Sequence, residues 1–410
     1  MIFDTISTAT TSTIPSNESY VMAEGFSAVG DARETLLYKK VGTAPANHQL
    51  YFQSTDGAYW EYVHGPKGIN ASVSGMSRSA SNNATAWAKL QLYAKYYLGN
   101  TRDIFIDVFI PPGTYSFGSQ IIWDPSLGGI DGYGAYFNFN NNSNGILVQA
   151  SNPEDGTPYR NARSIMRGLL IAGSTMETLY STVGLNFAPS GSSSAHLSIR
   201  DCDIVGFRHG LDFSANAYLI DFDHCDIYFN AYGLTDNGNQ ANSGENINFN
   251  SCAIFNNAQS ATALTNPNAS YRFNNCSIDY NGETGGQQIV LGDTNAVFMG
   301  CHIEANAQQA VALQQYLPRA IHAKIDFHGC TFIQQSSSGS TPFIDICDSG
   351  YVNMIGGVIT IASPSTSPVI KVHAGGSLLT VGLQRDYGGS SFISADSSSF
   401  YKDLSPTLVP

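Results

Sequence analysis

The sequence is poor in charge, and the charge it has is mostly acidic. Only 12% of its 410 residues are charged, and 19 basic against 32 acidic residues leave a net charge of −13. Phosphate binding depends on Lys and Arg, so nucleic acid is not expected as a partner. The same shortage of basic residues argues against binding to an anionic membrane surface.

Long apolar runs are missing as well. No stretch of about 18 uncharged apolar residues occurs, so we expect no membrane insertion. The opening residues, MIFDTISTATTSTI, lack a basic start followed by an apolar core and are not expected to form a secretory signal. The chain is nevertheless 42% hydrophobic, which excludes a disordered composition.

Cysteine motifs for zinc or disulfides are absent, although the chain has seven cysteines. Six of them recur at intervals of 23, 27, 24, 25 and 29 residues, and Gly357 takes the same place 27 residues after the last. The six are Cys202, Cys225, Cys252, Cys276, Cys301 and Cys330. A small neutral side chain that returns in this way is interpreted as a packing unit rather than a ligand.

Apolar residues keep fixed positions around each cysteine, and the residues between them are mostly polar. Three positions before the cysteine lie Ile199, Phe222, Phe249, Phe273, Phe298 and Phe327; two positions after it lie Ile204, Ile227, Ile254, Ile278, Ile303 and Phe332. This alternation is broken at the cysteine, which predicts two strands that meet at a sharp corner. A third short strand follows about ten residues later, as in GLDF (210–213) and YGLT (232–235).

These features predict an all-β chain that folds as a single-stranded right-handed parallel β-helix. Each turn has three strands and about 25 residues, and stacked turns bury one continuous apolar column. The thiols then form an inward ladder with a spacing of about 4.8 Å.

The chain is predicted to have four parts. They are a small β-rich module at 1–68, a capping helix with the first strands at 69–117, the β-helix at 118–385 and a short tail at 386–410. The helix is expected within 82–99, where Trp87, Leu90, Ala94 and Tyr97 recur at helical spacing. It would cover the open end of the solenoid.

Three segments resemble the tailspike polysaccharide depolymerases of bacteriophages, which belong to the pectate-lyase-like β-helix superfamily. They are VGDARETLLYKK (29–40) with QSTDGAYWEYV (53–63), IPPGTY (110–115) after the capping helix, and the cysteine-cornered coils. An Asp-rich turn before the capping helix, common in the family, is absent, and no large trimerisation domain follows the coils.

This resemblance implies a protein of the virion tail that attaches to the host cell and acts outside it. It further implies a homotrimer, attachment to the phage tail through the N-terminal side, and bacterial capsular or O-antigen polysaccharide as the partner. Neither a cofactor nor a metal site is predicted.

A first group of candidate catalytic residues surrounds the corner at Cys225. Asp223 and Asp226 flank it, with Asp203 one turn earlier beside Asp226 and Arg200 beside Asp223. Glycoside hydrolysis uses two carboxyl groups, and crowding raises at least one pKa, as a general acid requires. The alternative is a solvated polar face balanced by Arg200.

A second group of candidate catalytic residues follows the later cysteines. Asp279 and Glu304 occupy equivalent positions and should stack on adjacent turns, with His302 alongside. Stacked carboxylates repel, which favours a shared proton or a bound cation. A solvated ladder or subunit packing is the alternative.

Substrate-binding residues are predicted on the same scaffold and in its longest loops. Tyr228 and Arg200 lie near the first group, Glu245 follows one loop, and Arg319 and His322 lie in another. The last loop would suit a lyase, in which a base removes the proton beside a uronate carboxylate.

We therefore predict an endo-acting glycoside hydrolase that depolymerises a bacterial surface polysaccharide, because acidic pairs outnumber Tyr/His/Arg groups. A polysaccharide lyase acting by β-elimination on uronates stays open, as does a non-catalytic receptor-binding adhesin, because one fold hosts many functions.

Overall fold

Most of the chain forms a parallel β-solenoid preceded by a small sheet and a helix. The computed structural model describes residues 1–100, 106–150, 164–174, 181–187, 194–214, 216–236, 243–282, 288–292, 294–305, 311–313, 324–334, 342–347, 350–361, 368–386 and 392–404. The predicted parallel β-helix is confirmed: three strands recur in each turn, and all pairings between turns are parallel.

A five-stranded sheet forms the N-terminal part. In spatial order its strands are Ile2–Phe3, Tyr20–Ala23, Leu36–Val41, Tyr59–Val63 and Tyr51–Gln53, and a short helix, Ile6–Thr10, follows the first of them. The last two strands pair antiparallel, as the hairpin pattern of 53–63 predicts. Tyr38, Trp60 and Tyr62 bury their side chains in this module.

One long helix, Ala84–Asn100, lies against the first coil, after a short 3-10 helix, Ala71–Ser74. The Asn82 side chain accepts a hydrogen bond from the Ala84 N–H at 3.0 Å, at the helix start. The indole N–H of Trp87 donates to the Ile122 carbonyl at 2.6 Å, which fixes the helix on the solenoid end. Within the described ranges, no helix is long and apolar enough to cross a membrane.

The three strands of each turn form three ladders along the solenoid. The first ladder comprises Ile69–Asn70, Val108–Phe109, Ser194–Arg200, Ala217–Asp223, Glu245–Asn250, Ser270–Asn274, Asn295–Met299, Lys324–His328, Tyr351–Ile355, Ser377–Val381 and Phe400–Leu404. Two long strands, Ile130–Phe139 and Ser164–Ala172, pass from the first ladder into the second.

The second ladder begins where each corner ends. It comprises Gly113–Phe117, Asp203–Val205, Asp226–Tyr228, Ala253–Phe255, Ser277–Asp279, His302–Ala305, Thr331–Gln334, Val358–Ile361 and Gln384–Asp386. The third ladder comprises Ile121–Trp123, Ile146–Val148, Val183–Asn186, His209–Asp212, Tyr232–Thr235, Ser260–Leu264, Ile289–Leu291, Val311–Leu313, Ile344–Ile346, Ile370–Val372 and Ile393–Ala395.

The corner between the first and second ladders explains the polar neighbour of each cysteine. The residue immediately before it has a left-handed backbone, with φ between 50° and 61°, and an exposed side chain. These residues are Asp201, His224, Ser251, Asn275, Gly300 and Gly329. Glycine and short polar residues tolerate this conformation best, so the neighbour makes the turn and the cysteine fills its inside.

The six recurring cysteines are unpaired and at most 2% exposed, which confirms the predicted inward ladder. Beside them Phe222, Phe249, Phe273, Phe298 and Phe327 stack face to face, with ring centroids 4.6 to 4.9 Å apart. The core is therefore a column of identical contacts, repeated once per turn.

The repeat extends beyond the predicted β-helix segment. Ile393–Ala395 pairs with Ile370–Val372, and Phe400–Leu404 pairs with Ser377–Val381, so another turn lies within the predicted tail. The sequence pattern fades there because Leu383 replaces the cysteine, although Gly382 keeps the left-handed corner with φ of 63°. The early coils are also more regular than expected from their sequence.

Candidate functional site

The outward side chains of the second ladder form one continuous surface, called here the second-ladder face. Alternate residues of each strand point outward, and parallel register stacks them in two columns. One column contains Asp203, Asp226, Ala253, Ser277 and His302, and the other contains Val205, Tyr228, Phe255, Asp279 and Glu304. Both predicted acidic groups therefore contribute to one face, about 19 Å long at about 4.8 Å per turn.

Asp203 and Asp226 form the first acidic pair on this face. They are register partners on adjacent turns, as the sequence predicts, and both side chains are partly buried. Within the described residues neither carboxylate receives a hydrogen bond or forms an ion pair. Burial raises the pKa of Asp203, the charge of Asp226 adds to it, and burial raises the pKa of Asp226. The pair can therefore hold a proton well above the usual range of an aspartate.

An aromatic surface lies directly beside this pair. Tyr228 follows Asp226 on the same strand, and its ring stacks on that of Phe255 with centroids 4.9 Å apart and planes 4° from parallel. Burial raises the pKa of Tyr228, and the charges of Asp203 and Asp226 add to this effect. We call the two rings, which are only partly buried, the aromatic shelf.

The second acidic group lies at the other end of the shelf. His302 Nε2 lies 3.1 Å from Glu304 Oε2 and 3.8 Å from Asp279 Oδ1. Tyr280 donates its hydroxyl to Glu304 at 3.1 Å, and the Ser277 hydroxyl donates to Asp279. Burial raises the pKa of Asp279, partly offset by the Ser277 hydrogen bond and the His302 charge.

This second group has the composition of a cation site. One ligand atom from each of Asp279, His302 and Glu304 lies within 4.8 Å of the other two. One imidazole and two carboxylates suit several divalent ions. The hydrogen bonds within the group account for the same arrangement without an ion, so the geometry alone assigns none.

Asp223 and Arg200 lie on the other side of the corner, on the outward face of the first ladder. Arg200 Nε lies 3.3 Å from Asp223 Oδ2, and the Asn250 amide donates to Asp223 Oδ1 at 2.9 Å. The Asn274 amide in turn donates to Asn250 Oδ1 at 2.9 Å. We call these four residues the polar ladder. Both Asp223 oxygens have partners within it, unlike those of Asp226.

The remaining predicted binding residues are dispersed. Glu245 is exposed at the start of a first-ladder strand, where it pairs in register with Tyr218, so it is not part of the second-ladder face. Arg319 and His322 lie outside the described residues. Only Tyr228 joins a predicted acidic group in the shelf.

Sequence reasoning missed Ser277 and Tyr280, which hold the carboxylates of the second group. Ser277 lies two residues before Asp279, a spacing that places both on one face of a strand. Tyr280 has a left-handed backbone with φ of 54°, which no sequence pattern indicated.

Comparisons with known proteins place the fold but not the activity. No protein-family model matches the sequence. The enzymatically active domain of tailspike protein 4 from bacteriophage CBA120 has a TM-score of 0.66 and 16% identity; the match covers 98% of this chain and 52% of that one. The gp42 tailspike of Acinetobacter phage vb_AbaP_AS12 has a TM-score of 0.64 and 9% identity, with coverages of 98% and 74%.

A third similar structure is not a tailspike. A mutant DFA-IIIase from Arthrobacter chlorophenolicus A6 has a TM-score of 0.50 and 9% identity, with coverages of 79% of this chain and 91% of that one. The chain therefore spans about half the length of the CBA120 protein domain, at 52%. These likenesses establish a shared β-helix architecture.

Proposed function

We propose that the protein is a phage tailspike depolymerase that cleaves bacterial capsular or O-antigen polysaccharide as an endo-acting glycoside hydrolase. The observation that carries this proposal is the stacked pair Asp203 and Asp226. Both carboxyls are partly buried, have raised pKa values and lie beside an exposed aromatic shelf. The shared fold with two tailspikes, one described as an enzymatically active domain, supports the proposal.

Asp203 is the general acid in this proposal. Its pKa is raised by burial and by the charge of Asp226, so it keeps its proton longer than an ordinary aspartate. It donates that proton to the glycosidic oxygen, and the leaving sugar departs with it as the carbon–oxygen bond breaks.

Asp226 is the nucleophile. Side chains on adjacent turns stack at about 4.8 Å, close to the separation of about 5–5.5 Å found in retaining enzymes. Its carboxylate attacks the anomeric carbon and forms a glycosyl ester. Asp203, now ionised, takes a proton from water, and the resulting hydroxide attacks the same carbon and releases Asp226.

The aromatic shelf and the second acidic group bind the chain on either side of the cleaved bond. Tyr228 and Phe255 offer a flat apolar surface to the C–H face of a sugar ring. Asp279, Glu304 and His302 lie about 10–15 Å farther along the solenoid and bind sugar hydroxyls. Because the face continues along several turns, a long polysaccharide can lie across it, which suits endo-acting cleavage.

The polar ladder is proposed to support this site rather than to react. Asp223 is bound on both oxygens by Arg200 and Asn250, which leaves it no free lone pair of low hydrogen-bond demand for proton transfer. Its contribution is to hold the corner that carries Asp226.

A lyase is the second candidate, because His302 is hydrogen-bonded to Glu304 at 3.1 Å. An imidazole oriented by a carboxylate is a suitable general base for β-elimination. The group that would neutralise the uronate carboxylate is then the cation expected of Asp279, His302 and Glu304.

The assembly also stays a prediction. A homotrimer on the virion tail, attached through the N-terminal side and acting outside the host cell, follows from the sequence resemblance and the two tailspike neighbours. Sedimentation of the purified chain would test the trimer: three subunits per particle are expected, and a monomer at micromolar concentration would contradict it.

The function is tested on purified capsular and O-antigen polysaccharides. Chain length by size exclusion, new reducing ends and ultraviolet absorbance of unsaturated uronates are followed together. Shorter chains with reducing ends and no unsaturation support the hydrolase. Unsaturated products indicate the lyase, and tight binding with intact chains indicates an adhesin.

A further inference from the structure

The second-ladder face is acidic along its whole described length. Its outward positions carry five carboxylates, Asp203, Asp226, Asp279, Glu304 and Asp386, and among the described residues none of these positions holds Lys or Arg. His302 is the one basic side chain in these two columns, and it lies between two carboxylates. The face therefore offers no fixed positive charge to a ligand.

Nearby basic residues belong to the first ladder and are largely engaged by its own acids. Arg200 is paired with Asp223 at 3.3 Å, and Lys324 with Asp326 at 3.5 Å. Arg272 is exposed in the same ladder, in register with Asn248 and therefore around the corner from the catalytic pair. The separation of charge between the two faces is a property of the fold's register.

We infer that the site binds a stretch of uncharged sugar residues and discriminates against uronates and other anionic sugars; this inference rests on the proposed function. An anionic group on this face would meet like charges without a counter-charge, in partly buried surroundings. The net charge of −13 adds repulsion of a polyanion at longer range. Hydroxyl groups, by contrast, donate to carboxylates, and uncharged rings lie on the aromatic shelf.

The inference also separates the two candidate reactions. β-Elimination requires a uronate at the cleaved position, whereas hydrolysis does not. A face that disfavours uronates therefore favours the hydrolase over the lyase.

Matched substrates test this directly. Each acidic polysaccharide is compared with its carboxyl-reduced derivative, which keeps the linkages but removes the charge, and with naturally neutral polymers. We expect the uncharged forms to have kcat/KM at least about tenfold higher. Their KM should not change between about 0.02 M and about 0.5 M salt, because screening acts only on charge. Preference for the uronate form, or a KM that changes strongly with salt, would overturn the inference.

Protein variants sharpen the same test. Thr331 faces outward one turn beyond His302, and it is replaced by Lys or by Asp. An uncharged ligand predicts changes within about twofold for both variants, and none for Arg272→Gln around the corner. Opposite, salt-sensitive effects of Thr331→Lys and Thr331→Asp, or weaker binding by Arg272→Gln, would show an anionic ligand.

Failure of the proposed function is distinguishable from failure of this inference. If no polymer is cleaved, the hydrolase is wrong, and affinity electrophoresis of the full chain on the same panel decides the ligand class. Retention by neutral polymers supports the inference. Retention by acidic polymers alone, or by none, overturns it.

Discussion

The two outward faces that meet at the cysteine corner are built from the same coils but differ in how their carboxylates are treated. On the first-ladder face, Asp223 is bound by Arg200 and Asn250. On the second-ladder face, Asp203 and Asp226 have no such partner among the described residues and have raised pKa values. Paired polar groups stabilise a fold, whereas crowded unpaired acids persist where function requires them.

The largest expected effect comes from the catalytic pair. Asp203→Asn and Asp226→Asn should each lower kcat by at least about a hundredfold, because each removes an acid or nucleophile without changing side-chain size. Release of reducing ends from the cleaved polysaccharide measures this.

Two aspartates serve as matched controls. Asp386→Asn changes an exposed acid on the same face several turns away, and Asp223→Asn changes the paired acid across the corner. Both should keep activity within about tenfold of the unmodified protein. Loss as deep as that of Asp226→Asn in Asp223→Asn would assign catalysis to the corner itself.

The pH dependence separates the faces next. Activity requires protonated Asp203 and should fall about tenfold per pH unit once the pH exceeds the raised pKa of Asp203. That alkaline limb should lie above the ordinary aspartate pKa of 3.8. It should disappear from the residual activity of Asp203→Asn; an unchanged limb in that variant would exclude Asp203 as the acid.

A smaller effect is expected from the aromatic shelf. Tyr228→Ala should raise KM by about two- to tenfold, since stacking contributes about 0.5–1.5 kcal/mol. Tyr228→Phe, which keeps the ring stacked on Phe255, should change KM little. Equal losses in both variants would mean that the hydroxyl, and not the ring, contacts the substrate.

The smallest expected effect concerns stability. The raised pKa of Asp226 means that the folded state holds this proton more tightly than the unfolded chain. Its stabilising contribution is present below the unfolded pKa and is lost as the pH rises through the folded pKa. At neutral pH, Asp226→Asn should therefore raise Tm.

Asp223→Asn should leave Tm unchanged or slightly lower, because it removes an exposed ion pair worth about 0–1 kcal/mol. Thermal unfolding of the two variants in the same buffer tests the contrast. A lower Tm for Asp226→Asn than for Asp223→Asn would contradict it.

The sequence alone predicted the stacking of residues but not their partners. Positions counted from each cysteine place Asp203 under Asp226 and Asp279 under Glu304, because parallel register follows the corner. The ion pair of Asp223 with Arg200 and its hydrogen bond from Asn250 depend on side-chain distances that spacing does not determine. Strand Ser260–Leu264 was missed because the loop before the third ladder varies in length.

The most direct test of the account is a crystal structure of Asp226→Asn with a bound oligosaccharide of the polysaccharide it cleaves. The account predicts a sugar ring on Tyr228 and Phe255, with the glycosidic oxygen within hydrogen-bonding distance of Asp203. An oligosaccharide bound along the polar ladder of Arg200, Asp223, Asn250 and Asn274 instead would contradict it.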